Sequence, residues 1–165
     1  MNYYRLFKDR SISYEGKPFL YVGEETYSYR AFFAEIERMA KQLSCVIKDD
    51  LKNADVLVSA ESFLSQALLF FAAQKFHARP ILLHHGLAGA DRESIAKANG
   101  LQGILRLNDG SLSYRPFPYE ARQHESLDCL GVLSSGTTGT PKVMYRTFES
   151  WAGFFPVQNE IFGLK

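Results

Sequence analysis

The chain has 165 residues, enough for one domain with a substantial core. Hydrophobic residues make up 46% and charged residues 22%, the balance of an ordinary soluble globular chain, and a net charge of +1 supplies no electrostatic drive toward nucleic acid or an anionic membrane. The N-terminus carries no apolar run long enough for a signal peptide. The most apolar segment, Ala67 to Ala73, is too short to span a bilayer. Thirteen Phe and nine Tyr favour a large core, an apolar pocket or an interface. Cys45 and Cys129 lie far apart and in no metal-like spacing. They read as reduced, buried thiols in a cytoplasmic protein.

In chain order, residues 1–17 are mixed and show no clear period. Pro18 to Val22 reads as a short strand, and Gly23-Glu24-Glu25 as a turn into Thr26 to Tyr29, a candidate hairpin. Ser28 is a good N-cap for a helix from Tyr29 to about Ser44. Phe32, Phe33, Ile36, Met39, Ala40 and Leu43 form its core stripe. Ala54 to Ala60 reads as a buried strand, and Glu61 to about Phe76 as a helix that is apolar nearly all round. His77-Ala78-Arg79-Pro80 ends that helix, and Ile81 to Leu83 is a further buried strand. His84 and His85 follow it. Adjacent residues on extended backbone point to opposite faces, so a shared metal is disfavoured and they read as loop histidines. Asp91 to Asn99 is a short helix closed by Gly100, and Gln102 to Leu107 a strand. Asn108-Asp109-Gly110 turns the chain back into Ser111 to Arg115. Residues 116–128 read as a linker.

The stretch with the clearest chemistry is residues 130–145, read as strand, loop and strand. Leu130 to Leu133 is apolar and runs into Ser134-Ser135-Gly136-Thr137-Thr138-Gly139-Thr140-Pro141-Lys142, and a second apolar run follows. Gly136 and Gly139 admit positive φ and close approach of an anion to the backbone. Hydroxyls and successive backbone N–H groups form an anion nest, and Lys142 adds a point charge suited to phosphate. This is not a Walker A loop, because Thr137 stands where that motif requires Lys. Thr147 is positioned to cap a helix from Phe148 onward, rich in aromatic residues and interrupted or kinked by Pro156. Its residues by themselves read as core packing.

The alternation of strands and helices from Ala54 to Leu107 argues for an α/β fold: βαβ units on a parallel sheet with helices on both faces. Ligands of such sheets bind beyond the carboxyl ends of the strands, where the loop sits.

Ser134 to Lys142 resembles the signature loop of the adenylate-forming (AMP-binding) superfamily, which includes acyl- and aryl-CoA synthetases and the adenylation domains of peptide synthetases. Weaker resemblance reaches back to about Tyr27, with Thr26-Tyr27 matching a pair that precedes a helix in that family. The chain departs from the pattern at Val143, where the family usually has Gly, and at Phe148, where many members have His. The resemblance implies that residues 1–165 are the N-terminal portion of an AMP-binding domain. Ser134, Ser135, Gly136, Thr137, Thr138, Gly139 and Lys142 would then hold the ATP phosphates, with Trp151 and Phe155 in the wall of an acyl pocket. It further implies ATP, Mg²⁺ and CoA, a small carboxylic acid, and an acceptor thiol on CoA or a carrier protein. No residue of the chain reads as a Mg²⁺ ligand. The adenine and ribose motifs and the late catalytic Lys of the family lie downstream of its loop, so the expectation is an N-terminal piece of a longer ligase, inactive alone and without catalytic residues of its own. A fatty-acid–CoA ligase is the first reading. An aryl- or amino-acid adenylating enzyme, a short non-catalytic module that needs a partner chain, and an unrelated phosphate binder are the alternatives.

Overall fold

The computed structural model describes residues 2–48, 50–83, 91–120, 130–134 and 141–163, with Trp151 described by its backbone alone. The chain opens with a helix that composition conceals, α1 (Tyr3–Ser13). Its inward positions are Tyr4, Phe7 and Ser11, a stripe too polar to register as periodic. Asn2 caps it by accepting from Arg5 N. Two long-range bonds then tie its start to a distant helix. Asn2 Nδ2 donates to the Gln74 carbonyl at 3.1 Å, and Tyr3 N donates to Gln74 Oε1 at 2.8 Å.

An antiparallel hairpin follows, β1 (Pro18–Val22) and β2 (Glu25–Ser28), as its turn residues imply. Ser28 Oγ accepts from Ala31 N at 3.1 Å and starts α2 (Tyr29–Val46). That helix buries Phe32, Ile36, Met39, Ala40 and Leu43, the stripe read from the sequence. Cys45 lies on the other side of α2 and is exposed, which corrects the expectation of a buried thiol. Two residues beyond Leu43 is about 200° around a helix, away from the core. Cys129, His84 and His85 lie outside the described residues.

The remaining strands form one six-stranded mixed sheet in the order β6-β5-β3-β4-β7-β8. They are β3 (Asp55–Ala60), β4 (Arg79–Leu82), β5 (Gly103–Asn108), β6 (Ser111–Pro116), β7 (Leu130–Ser134) and β8 (Lys142–Arg146). The four inner strands run parallel, while β6 and β8 are antiparallel edges. Helix α3 (Phe63–Lys75) crosses from β3 to β4, and α4 (Arg92–Ala98) crosses from β4 back past β3 to β5. The two crossovers travel in opposite directions, so right-handedness puts their helices on opposite faces. The cores agree. Val56, Val58, Leu105 and Leu107 pack with α1, α2 and α3. Leu57, Ile81 and Ile104 pack with Ile95 and Ala96 of α4.

The sequence places Pro80 ahead of its strand, whereas it is the second residue of β4. Arg79 N donates to the Ala54 carbonyl just before β3 and Leu83 N to the Val58 carbonyl within it, so the intervening imide of Pro80 faces the other way. There β7 begins pairing only at Ile81, opposite Gly131, and the missing N–H costs no ladder bond. Gly131 is itself dictated by packing. A Cβ there would lie 2.5 Å from Ile81 Cγ1 and 2.9 Å from Val143 Cγ1. Pro116 ends β6, and residues 121–128 of the expected linker lie outside the described residues.

On the α1–α2–α3 face, Tyr4 Oη donates to Glu37 Oε1 at 2.8 Å and Lys75 Nζ bonds Glu37 Oε2 at 2.7 Å. Burial pushes the Glu37 carboxyl up, but its bonds to Lys75 and Tyr4 outweigh this and leave it below its ordinary value. Burial first, and then the Glu37 hydrogen bond, push Tyr4 up to about 12. Burial and the charge of Glu149 push Tyr3 to about 12. A phenol raised in the fold above its unfolded value near 10 stabilises fully below pH 10, and that contribution is lost as pH rises toward 12. Denaturant unfolding at pH 9 and pH 11.5 is expected to show a loss of stability over this window, smaller in Tyr4→Phe. A Tyr4→Phe protein with the wild-type slope contradicts the assignment.

Candidate phosphate-binding site

Strand β7 delivers Ser134 to its carboxyl end, and β8 starts at Lys142, directly opposite Ser134 in the ladder. Ser134 Oγ donates to the Lys142 carbonyl at 3.1 Å. The two ends of the signature loop are thereby closed as an antiparallel pair beyond the carboxyl end of a parallel strand. Lys142 carries an exposed side chain, while Pro141 before it is buried. Ser135, Gly136, Thr137, Thr138 and Gly139 lie outside the described residues.

The exit of the loop is held by a residue that sequence reading treated only as a helix end. Asn99 is the C-cap of α4, and its side-chain amide reaches across to β8. Nδ2 donates to the Pro141 carbonyl at 2.9 Å, and Oδ1 accepts from Val143 N at 3.0 Å. The signal in the sequence was a single Asn before Gly100, and nothing local announces a partner 42 residues on. Val143 packs against the α4-side core, so the residue that departs from the family pattern fills space there over the bare Cα of Gly131.

Beyond β8, Thr147 Oγ1 accepts from Ser150 N at 3.1 Å and begins α5 (Phe148–Ala152). Pro156 sits in the first turn of α6 (Phe155–Phe162). It therefore starts a second helix, the position where a missing N–H is harmless. Of the two expected acyl-pocket residues, Trp151 has no described side chain. Phe155 is 37% exposed. It lines a cleft of about 180 Å³ with Arg146, Phe154 and Gln158. The structure does not bring Phe155 into an enclosed pocket among the described residues.

With this geometry in hand, similarity to known proteins becomes informative. No family model matches the sequence. The chain is 24% identical over 151 residues to a putative long chain fatty acid–CoA ligase, VraA, of Staphylococcus aureus strain COL, and the same match recurs in strain MW2. The alignment covers 88% of this chain and 31% of the relative, so the chain spans about a third of the length of the curated relatives it matches. Among solved structures, o-succinylbenzoate CoA synthetase (MenE) from Bacillus subtilis, in complex with AMP, superposes with a TM-score of 0.70. That match has 17% identity and covers 99% of this chain and 46% of MenE. The N-terminal subdomain of NpsA from Klebsiella oxytoca, in complex with 3-hydroxybenzoyl-AMSN, superposes at 0.61. It has 17% identity over 87% of this chain and 40% of that subdomain. The structural likeness is one of fold. The chain has the fold of the matching parts of MenE and of the NpsA N-terminal subdomain, and the Staphylococcus relatives bear the name of fatty acid–CoA ligases.

Proposed function

We propose that the chain is the N-terminal, phosphate-binding part of an ATP-dependent ligase that activates a carboxylic acid as its acyl-adenylate. The observation that carries this reading is the Ser134–Lys142 motif, whose described ends are paired beyond the carboxyl end of β7 in a chain related to CoA ligases. In the reaction a carboxylate oxygen attacks the α-phosphorus of ATP, and the bond to the departing pyrophosphate breaks. The Lys142 ammonium, with the Ser134–Gly139 segment, would hold the β- and γ-phosphates and stabilise charge on the leaving group. The acyl group then passes to a thiol.

A fatty acid with CoA as acceptor is the first reading, supported by the named substrate class of the Staphylococcus relatives. An aryl-acid or amino-acid adenylating enzyme that loads a carrier protein is the second, its aryl-acid form supported by MenE and NpsA, whose complexes hold aryl groups. Mg²⁺ accompanies ATP in this chemistry. Among the described residues no three His, Cys, Asp or Glu form a metal site, and no step here runs through the ion. No helix of the described residues is long and apolar enough to cross a membrane.

The test is mass-spectrometric detection of acyl-AMP from the full-length protein with ATP and a panel of fatty, aryl and amino acids. An acyl-AMP that depends on one acid class supports the reading and selects the substrate. No adduct with any class contradicts it. The 165 residues alone are expected to form none, so acid-dependent pyrophosphate release by them would overturn the division of labour proposed here.

A further inference from the structure

We infer that Asn99 is a positioning residue for Lys142, holding the backbone on both sides of it so that the ammonium meets the phosphates in one place. The inference rests on the phosphate-loop reading and adds to it a residue from another element. Asn99 is 8% exposed, and every polar atom of its amide is engaged. Nδ2 donates to Ile95 O at 2.9 Å and to Pro141 O at 2.9 Å, and Oδ1 accepts from Val143 N at 3.0 Å. Those two bonds to β8 flank Lys142. Ser134 Oγ takes up the carbonyl of Lys142 itself.

Three consecutive residues of the loop exit are thus fixed by side chains from α4 and β7. Only an amide of this length supplies a donor and an acceptor from one planar group. An Asp would present only acceptors to two carbonyls. The arrangement matters because, among the described residues, β8 is a sheet edge paired with β7 alone. Without Asn99, the first residues of β8 would depend on the β7 ladder and the Ser134 hydroxyl. A lysine is a flexible point charge, so the precision of its charge is inherited from its Cα. A displacement of about 1 Å is enough to cost on the order of a hundredfold in rate.

The experiment uses the full-length protein and compares Asn99→Ala and Asn99→Ser with Leu101→Val. Leu101→Val removes a buried group of the same core without touching the clamp. Each is made with Lys142 present and with Lys142→Ala. The readouts are kcat and KM for ATP in acid-dependent adenylation, and hydrogen exchange of the Val143 amide. With Lys142 present, the Asn99 variants are expected to lower kcat ten- to a hundredfold, on the order of that displacement cost. Exchange at Val143 is expected to speed up by a similar factor. In the Lys142→Ala background the same variants are expected to lower kcat no further. Equal losses in both backgrounds, or an equal loss in a Leu101→Val protein of matched melting temperature, would overturn the inference. Unchanged Val143 exchange overturns it even if activity falls. A wild-type rate in Lys142→Ala alone would remove the phosphate-loop reading itself, and with it the inference. If Asn99→Ala does not fold, Asn99→Ser keeps a small polar helix cap but cannot span to β8, and carries the same expectations.

Discussion

Arg79→Ala is expected to destabilise the fold by about 3–5 kcal/mol, the usual cost of removing one partner of a buried ion pair. Asp55 and Arg79 are 0% and 1% exposed, and Arg79 Nε donates to Asp55 Oδ1 at 2.5 Å. The guanidinium also donates to the Asn53 carbonyl, and Tyr145 Oη donates to Asp55 Oδ2 at 2.8 Å. The network joins the starts of β3 and β4 to the far edge strand β8, at the end of the sheet away from the loop. Truncating Arg79 leaves a carboxylate without its counter-charge at a depth where water cannot replace it. Domains of this size are stable by about 5–15 kcal/mol, so the loss is a large share of the total. The comparison that isolates the mechanism is Asp55→Leu with Arg79→Met. An apolar pair of similar volume is expected to cost less than either single change, measured by urea unfolding at pH 7. Additive losses would mean that the two charges act independently.

Lys142→Ala is expected to lower the adenylation rate of the full-length protein by about 10²-fold, the order seen when one charge-stabilising donor is removed from a developing anion. Because the side chain is exposed, stability should change by less than about 0.5 kcal/mol. Lys142→Arg keeps the charge on a different geometry and is expected to recover part of the rate. A steady-state assay with varied ATP beside a thermal melt decides the matter. A rate loss that tracks a fall in melting temperature would assign Lys142 to the fold instead of the phosphates.

Much of this architecture was legible because its signals are local. Ser28 caps the helix that follows, as a small polar residue before an apolar period implies, while Ser62 and Asp91, read as first helical residues, turn out to be the caps of α3 and α4. The Asp109-Gly110 turn has positive φ at both residues and returns β6 onto β5 as a hairpin. What escaped was set by contacts distant in sequence. Helix α1 is held by Gln74 and by Phe7 among the rings of Phe32 and Phe71, none of which its own composition reveals. Asp55 and Arg79 lie 24 residues apart, and only the sheet puts their strands side by side as an ion pair. Cys45 was misplaced for a different reason, since the helical period that located Leu43 also carries Cys45 to the outer face. Around the loop, the two flanking strands were readable and stand as β7 and β8. The Asn99 clamp was not, because hydrogen-bond partners across a crossover leave no spacing to find.

The most direct test of the phosphate-loop assignment is a crystal structure of the full-length protein with ATP. The account predicts the β- and γ-phosphates beyond the carboxyl end of β7, with Lys142 Nζ within hydrogen-bond distance of a phosphate oxygen. ATP bound with its phosphates away from Lys142 and the 134–140 segment would contradict it.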